Sequence, residues 1–155
     1  MCFSQMLFII MQSCLLVLLI IHDWIDLAPF NDLRALHAEG IRAVVISTMT
    51  NCTLIAFALV GTLYFGMGPL PGWFSYYLFI TYALPLLGGF MLWYRPMLFG
   101  SKSWNKEHFK KMYAHTHHLI SGSDEDVRPN TLRLVIHFFI VVNAVLAFCK
   151  VLGRF

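Results

Sequence analysis

The stretch that decides the fold is CFSQMLFIIMQSCLLVLLII, residues 2–21, which runs for twenty residues without one charged side chain. The hydrocarbon core of a bilayer is about 30 Å thick, and a helix needs roughly 20 apolar residues to cross it. A helix is also the conformation that bonds every backbone N–H and C=O within the segment, where no water is at hand. No Lys or Arg precedes this run, and His22-Asp23-Trp24 follows it in place of a small-residue cleavage site, so it reads as a retained first span.

Three further stretches of similar character follow, at about 43–65, 73–94 and 132–152, and none of the four contains Asp or Glu. The fold class expected is all-α: a single integral membrane domain over 1–155, a four-transmembrane-helix bundle. Composition agrees. Hydrophobic residues make up 59% of the chain and charged residues 12%, against roughly 25% charged in a soluble domain, and the mean hydropathy is +0.70. The net charge of +3 is too small for a nucleic-acid footprint. Cys2, Cys14, Cys52 and Cys149 form no C-x-x-C pair and lie in or beside apolar segments, as small fillers do.

The connections differ. Residues 22–42 are polar, 66–72 form a short Gly/Pro-rich turn that makes spans two and three antiparallel neighbours, and 95–131 are long and charged. Nine of the eleven Lys and Arg residues lie in the first and third connections or at the edge of the fourth span. The positive-inside rule then puts loops 22–42 and 95–131 in the cytoplasm and both termini outside a cell membrane. Trp24, Trp73, Trp93 and Tyr94 fall at span ends, where aromatic belts sit.

Within the third connection, residues 103–120 read as a cytoplasmic amphipathic interfacial helix. Phe109, Met112, Tyr113, Thr116 and Ile120 share one face; Lys106, Glu107, Lys110, Lys111, His117 and His118 share the other. That pattern suits contact with anionic lipids, or docking on the bundle. Asn130 or Thr131 is the expected cap of the fourth span.

Histidine supplies the candidates for chemistry. All seven lie toward the expected cytoplasmic side. His22, His115, His117, His118 and His137, with Asp23 and Asp32, have the ligand and general-base types that Zn, Fe or Mn chemistry uses, although H-E-x-x-H is absent. His22 and His137 are also the pair that a haem between helices would take. His137 stands inside a span, on one helical face with Arg133 and Asn130, and that stripe is expected to meet His22 and Asp23 in a polar pocket at the bundle mouth. The plainer reading of each is interfacial anchoring or one interhelical hydrogen bond. Ser47, Thr50, Asn51 and Thr62 on span two, and Thr81, Pro85, Gly88 and Gly89 on span three, read as close packing or as the lining of a path.

The stretches H-D-W at 22–24, N-D-L at 31–33, T-H-H-L at 116–119 and P-N-T-L at 129–132, with His137, resemble a group of small four-span bacterial membrane proteins of unknown function. The segment 121–128 departs from that group in being acidic. The resemblance implies a fold and a bacterial source and brings no mechanism. Three functional classes remain open on sequence: an accessory or lipid- or ligand-binding bundle, a metal-binding protein or enzyme at the cytoplasmic mouth, and a small oligomeric transporter or channel. Homo-oligomers and partner membrane proteins fit the first and third.

Overall fold

A computed structural model describes residues 3–38, 40–65, 70–99, 116–120 and 128–153. Four long helices account for most of them: α1 (Phe3–Trp24), α3 (Ile41–Phe65), α4 (Gly72–Gly89) and α6 (Thr131–Val151). Short helices α2 (Arg34–Ala38) and α5 (Arg95–Phe99) lie between them, and a π-helical turn, Phe90–Tyr94, joins α4 to α5. Among the described residues there is no strand. Counting Gly72–Tyr94 as one unit, four helices are long and apolar enough to cross a membrane, as in a small polytopic membrane protein.

Their surfaces fit that role. Phe57, Val60 and Tyr64 on α3 and Phe138 and Val145 on α6 are all more than half exposed. In water such a continuous apolar surface would drive association. Against lipid it costs nothing. The buried face of each helix is narrow: Phe8, Leu15 and Leu19 on α1 recur at helical spacing against Ile136, Ile140 and Ala147 of α6.

The helices run alternately up and down. α1 packs on α3 and α6, and α4 packs most extensively on α6. α3 and α4, although successive in the chain, touch least of the four adjacent pairs. They meet near the 66–71 connection, where Phe74 lies against the bare Cα of Gly61 and the Phe65, Trp73 and Phe74 rings pack edge to face or tilted. The Tyr77 hydroxyl donates to the Leu54 carbonyl at 3.2 Å. Beyond that point a gap opens between them.

Buried polar groups fix the depth at which helices face one another. Near one end Lys150 Nζ donates to Gln5 Oε1 at 2.5 Å. At mid-span Gln12 Nε2 donates to Thr62 Oγ1 at 3.1 Å, and that hydroxyl donates to the Ala58 carbonyl at 2.7 Å. Asn143, fully buried on α6, donates to the Phe139 carbonyl at 2.8 Å. Gln5 beside Lys150 sets an antiparallel register in which Gln12 and Asn143 stand at one depth. Such interhelical bonds contribute about 0.6 kcal/mol each in a membrane, so their value lies in register more than in stability.

Two expectations need correction. α1 continues to Trp24, so Asp23 is a helical residue of the first apolar helix, with no exposed surface. The interfacial helix expected over 103–120 falls outside the described residues as far as 115, and 116–120 are not helical. There the His117 backbone bonds Pro29 on one side and Thr131 on the other, which a helix would forbid. The acidic segment 121–126 and the turn at 66–69 also lie outside the described residues. Asn130 does cap α6, its side chain accepting from the Arg133 N–H at 2.8 Å.

Candidate functional site

The ends of α1 and α4 and the starts of α3 and α6 form one mouth of the bundle. There Asp23 links two helices. Its Oδ1 accepts from His22 Nδ1 at 2.8 Å, and its Oδ2 faces the Thr48 hydroxyl of α3 at 3.1 Å. Trp24 Nε1 donates to the same Thr48 oxygen at 2.8 Å. The carboxylate thus fixes the tautomer of His22, leaving Nε2 as the unprotonated nitrogen. That nitrogen is buried and has no hydrogen-bond partner among the described residues. The Arg133 guanidinium lies close enough to His22 to act on its charge.

Loop segments close over this mouth. Asn31 Nδ2 donates to the His22 carbonyl at 2.6 Å. The His117 N–H donates to the Pro29 carbonyl at 2.6 Å, and the Thr131 N–H donates to the His117 carbonyl at 2.9 Å. The Thr131 hydroxyl also donates to the His117 carbonyl, so its oxygen accepts from His117 Nδ1 at 2.8 Å. His118 Nδ1 donates to the Pro129 carbonyl at 3.2 Å. The stretches at 22–24, 31–33, 116–119 and 129–132, scattered along the sequence, therefore converge in space.

The sequence candidates separate accordingly. His22, Asp23, His117 and Arg133 gather at the mouth. Asp32 does not join them: it forms an exposed fork with Arg34, at 2.6 Å to Nη2, and caps the Arg34 N–H at 3.0 Å. That pairing raises the Arg34 pKa further, so the guanidinium is charged at any physiological pH. His117 and His118 are engaged in bonds that hold the loops. His115 lies outside the described residues. Among the described residues no three His, Cys, Asp or Glu side chains come together as a metal would need.

His137 lies on the other side of Arg133, and its position is built by three features of the α4 arm. Gly89 lets the imidazole lie against the helix backbone: a Cβ there would stand 2.8 Å from Nε2. The π turn comes next, with the Arg95 N–H bonding the Phe90 carbonyl five residues back. Its extra residue per turn rotates the rest of the arm and brings the Tyr94 hydroxyl to 3.0 Å from His137 Nδ1. The phenol, the more acidic partner, donates, and the ring proton is left on Nε2.

His137 lines the gap between α3 and α4. This is a cleft of about 250 Å³ whose lining includes Arg133, His137, Trp93, Thr50 and Asn51 toward the mouth, and Leu15, Leu54, Ile55 and Ile140 deeper in. The Arg133 guanidinium stands 5.9 Å over the Trp93 ring. Pro85, also in the lining, cannot donate to the Thr81 carbonyl one turn back. Among the described residues no acidic side chain lines the cleft.

Sequence reasoning found His137, Arg133 and the polar residues of both walls. It missed Tyr94 as a partner of His137, and it offered a path between these two spans only as an alternative to close packing. Gly88-Gly89 after Pro85 was the available signal, since two small residues behind a missing N–H mark a place where a backbone is approached closely. No family model matches this chain, and neither a curated protein nor a solved structure proves similar to it.

Proposed function

We propose that this chain is a membrane-embedded binding protein that takes a bilayer-dissolved ligand sideways into the cleft between α3 and α4. The observation that carries the reading is the cleft itself. Two helices successive in the chain part toward the mouth, and the space between them has apolar walls with Arg133 and the Tyr94-oriented His137 at one end. Ligand sites in bundles have this character, mostly apolar with a few placed polar groups. A water's share of liquid volume is about 30 Å³, so a space of about 250 Å³ takes a head group and part of a chain, the remainder lying in the bilayer.

The reading includes an orientation. The mouth faces the cytoplasm of a cell membrane, as the Lys and Arg distribution implies. The test is to purify the protein in mild detergent and weigh the intact complex. A bound amphiphile at one per chain is expected, and it should be lost from Gly88→Leu. Gly88 lines the cleft and has open space around it, so the leucine fills the site without displacing a neighbour. A wild-type protein that never retains an amphiphile would remove the reading.

One observation favours a second reading, a reaction or metal centre at the mouth. His22 is oriented by Asp23 in the manner of a general base or a metal ligand, with Nε2 left over. Elemental analysis and an absorbance spectrum of the purified protein test it. Stoichiometric metal or haem, lost on His22→Ala, is the outcome it requires.

A further inference from the structure

Gln12 of α1, Thr62 of α3, Tyr82 of α4 and Asn143 of α6 have no exposed surface, and each long helix contributes one of them. They stand at one depth. Gln12 bonds Thr62 directly, and the Gln5–Lys150 pair puts Asn143 level with Gln12. On the seam between α4 and α6, Gly89 meets His137 at one end, and the Phe79 and Phe148 rings meet at 5.5 Å at the other. Counting along both helices from those contacts puts Tyr82 level with Asn143 to within about two residues, or about 3 Å. The Phe8 and Tyr82 rings, on helices that stand diagonally across the bundle, have their centroids 6.2 Å apart, and Phe8 is one turn from Gln12. None of the four polar residues lines the cleft between α3 and α4.

We infer that one water molecule is a fixed component of the bundle, held at its middle by Gln12, Asn143 and Tyr82. The bonds already made leave a defined remainder. The Thr62 hydroxyl donates to the Ala58 carbonyl, so toward Gln12 its oxygen only accepts, and Gln12 must offer it Nε2. The Asn143 side chain likewise gives Nδ2 to the Phe139 carbonyl. Left over are Gln12 Oε1, Asn143 Oδ1 and the Tyr82 hydroxyl, each buried and with no hydrogen-bond partner among the described residues. The two amide oxygens only accept, and the phenol has a proton to donate. One water matches all three: it gives its two protons to the amides and takes the phenol proton on its oxygen. About three bonds is what a buried water ordinarily makes. Ala58, Ala144 and Ala147, buried next to these residues or one turn from them, keep the neighbouring side chains small. An alkali cation fits less well. It uses the three oxygens but leaves the phenol proton without an acceptor, and it brings a charge to the middle of the bundle where the layer offers no carboxylate. With Thr62 bonded to Gln12, the water completes a polar node that touches all four helices.

Nuclear magnetic resonance on the full chain in detergent micelles tests this, with isotope in glutamine alone. The side chains of Gln5 and Gln12 are then the only labelled amide groups of their kind. Cross-relaxation from water protons to the Gln12 side chain is expected, with opposite sign in the laboratory and rotating frames, which chemical exchange does not give. Gln5, bonded to Lys150 at one end of the bundle, reports that the fold is intact in each variant. Tyr82→Phe removes the donor to the water, and Asn143→Leu removes an acceptor and fills its place, so each should reduce the Gln12 signal to background. A wild-type protein with no such signal at Gln12 would overturn the inference. So would a signal that Asn143→Leu leaves unchanged, since that marks relay through a hydroxyl proton. A signal that disappears as sodium replaces a bulky organic cation in the buffer would identify a metal ion as the occupant and overturn it as well.

Discussion

Adding one methyl group at position 88 or at position 89 should have opposite effects, and the difference tests the geometry around His137. A Cβ on Gly89 would stand 2.8 Å from His137 Nε2 and 3.2 Å from Cε1, both inside van der Waals contact. The ring has nowhere to withdraw without releasing Tyr94, a hydrogen bond of about 1 kcal/mol. Crowding of this kind typically costs about 1–3 kcal/mol. Replacing Gly by Ala within a helix returns about 1 kcal/mol. With the Tyr94 bond lost as well, the net for Gly89→Ala is a loss of about 1–3 kcal/mol, or roughly 2–12 °C in Tm at about 2–4 °C per kcal/mol for a chain of this size. Gly88 has nothing within 4 Å of the same added atom, so only the helix term acts, and Gly88→Ala should gain up to about 1 kcal/mol. Melting in detergent micelles, followed by a thiol-reactive dye that reports exposure of the buried Cys52, measures both. A cycle with His137→Ala isolates the contact: in that background Gly89→Ala should keep only the helix gain, a coupling of about 2–4 kcal/mol. Equal shifts for the two alanine variants, or a penalty that persists without the imidazole, would refute this placement of His137 against α4.

Other expectations concern the rest of the bundle. Asp23→Ala leaves His22 and Thr48 without their shared acceptor and should destabilise by about 3 kcal/mol, whereas Asp23→Asn keeps the shape and an acceptor oxygen and should cost less than half of that in the same melt. Gln12→Leu should change stability by less than about 1 kcal/mol, because Thr62 keeps its bond to the Ala58 carbonyl; a larger loss would mean that the mid-span polar layer carries stability as well as register. Arg34→Ala, at an exposed pair, should leave the melting curve unchanged. A cysteine at Ser123 should be labelled by an impermeant maleimide only after the inner face of the membrane is opened; labelling from outside would reverse the orientation.

The spans were legible because their signal is additive. Twenty apolar residues in a row outweigh any local ambiguity, and with Gly72–Tyr94 counted as one unit the helix ends lie within three residues of the expected ones. Asn130 was legible as a cap because its side chain competes for a nearby backbone N–H whatever the tertiary setting. The segment 116–120 was misread for the opposite reason. Its apolar spacing suits a helix, but Pro29 and Thr131 bond the His117 backbone, and a pairing between residues so distant in sequence leaves no periodic trace. The His22–Asp23 pair was visible as neighbours in sequence, while its tie to Thr48 was not. The Tyr94–His137 bond depends on an extra residue in a π turn, and nothing in FMLWY at 90–94 distinguishes that turn from ordinary α-helix. The cleft was legible only as one of two alternatives, a packed seam or a lined path. A gap is a property of how two helices diverge, and each wall by itself reads as a packing surface.

The strap over the mouth sets an order of events during synthesis. Pro29 leaves the ribosome about a hundred residues before Thr131, yet the peptide unit of His117 is bonded between the two. Until the last helix is threaded into the bilayer, the first connection has no lid to receive, and His22 and Asp23 stay open to water. The mouth is therefore the last part of the molecule to be sealed. A nascent chain stalled before its fourth helix would lack the Thr131 half of that closure.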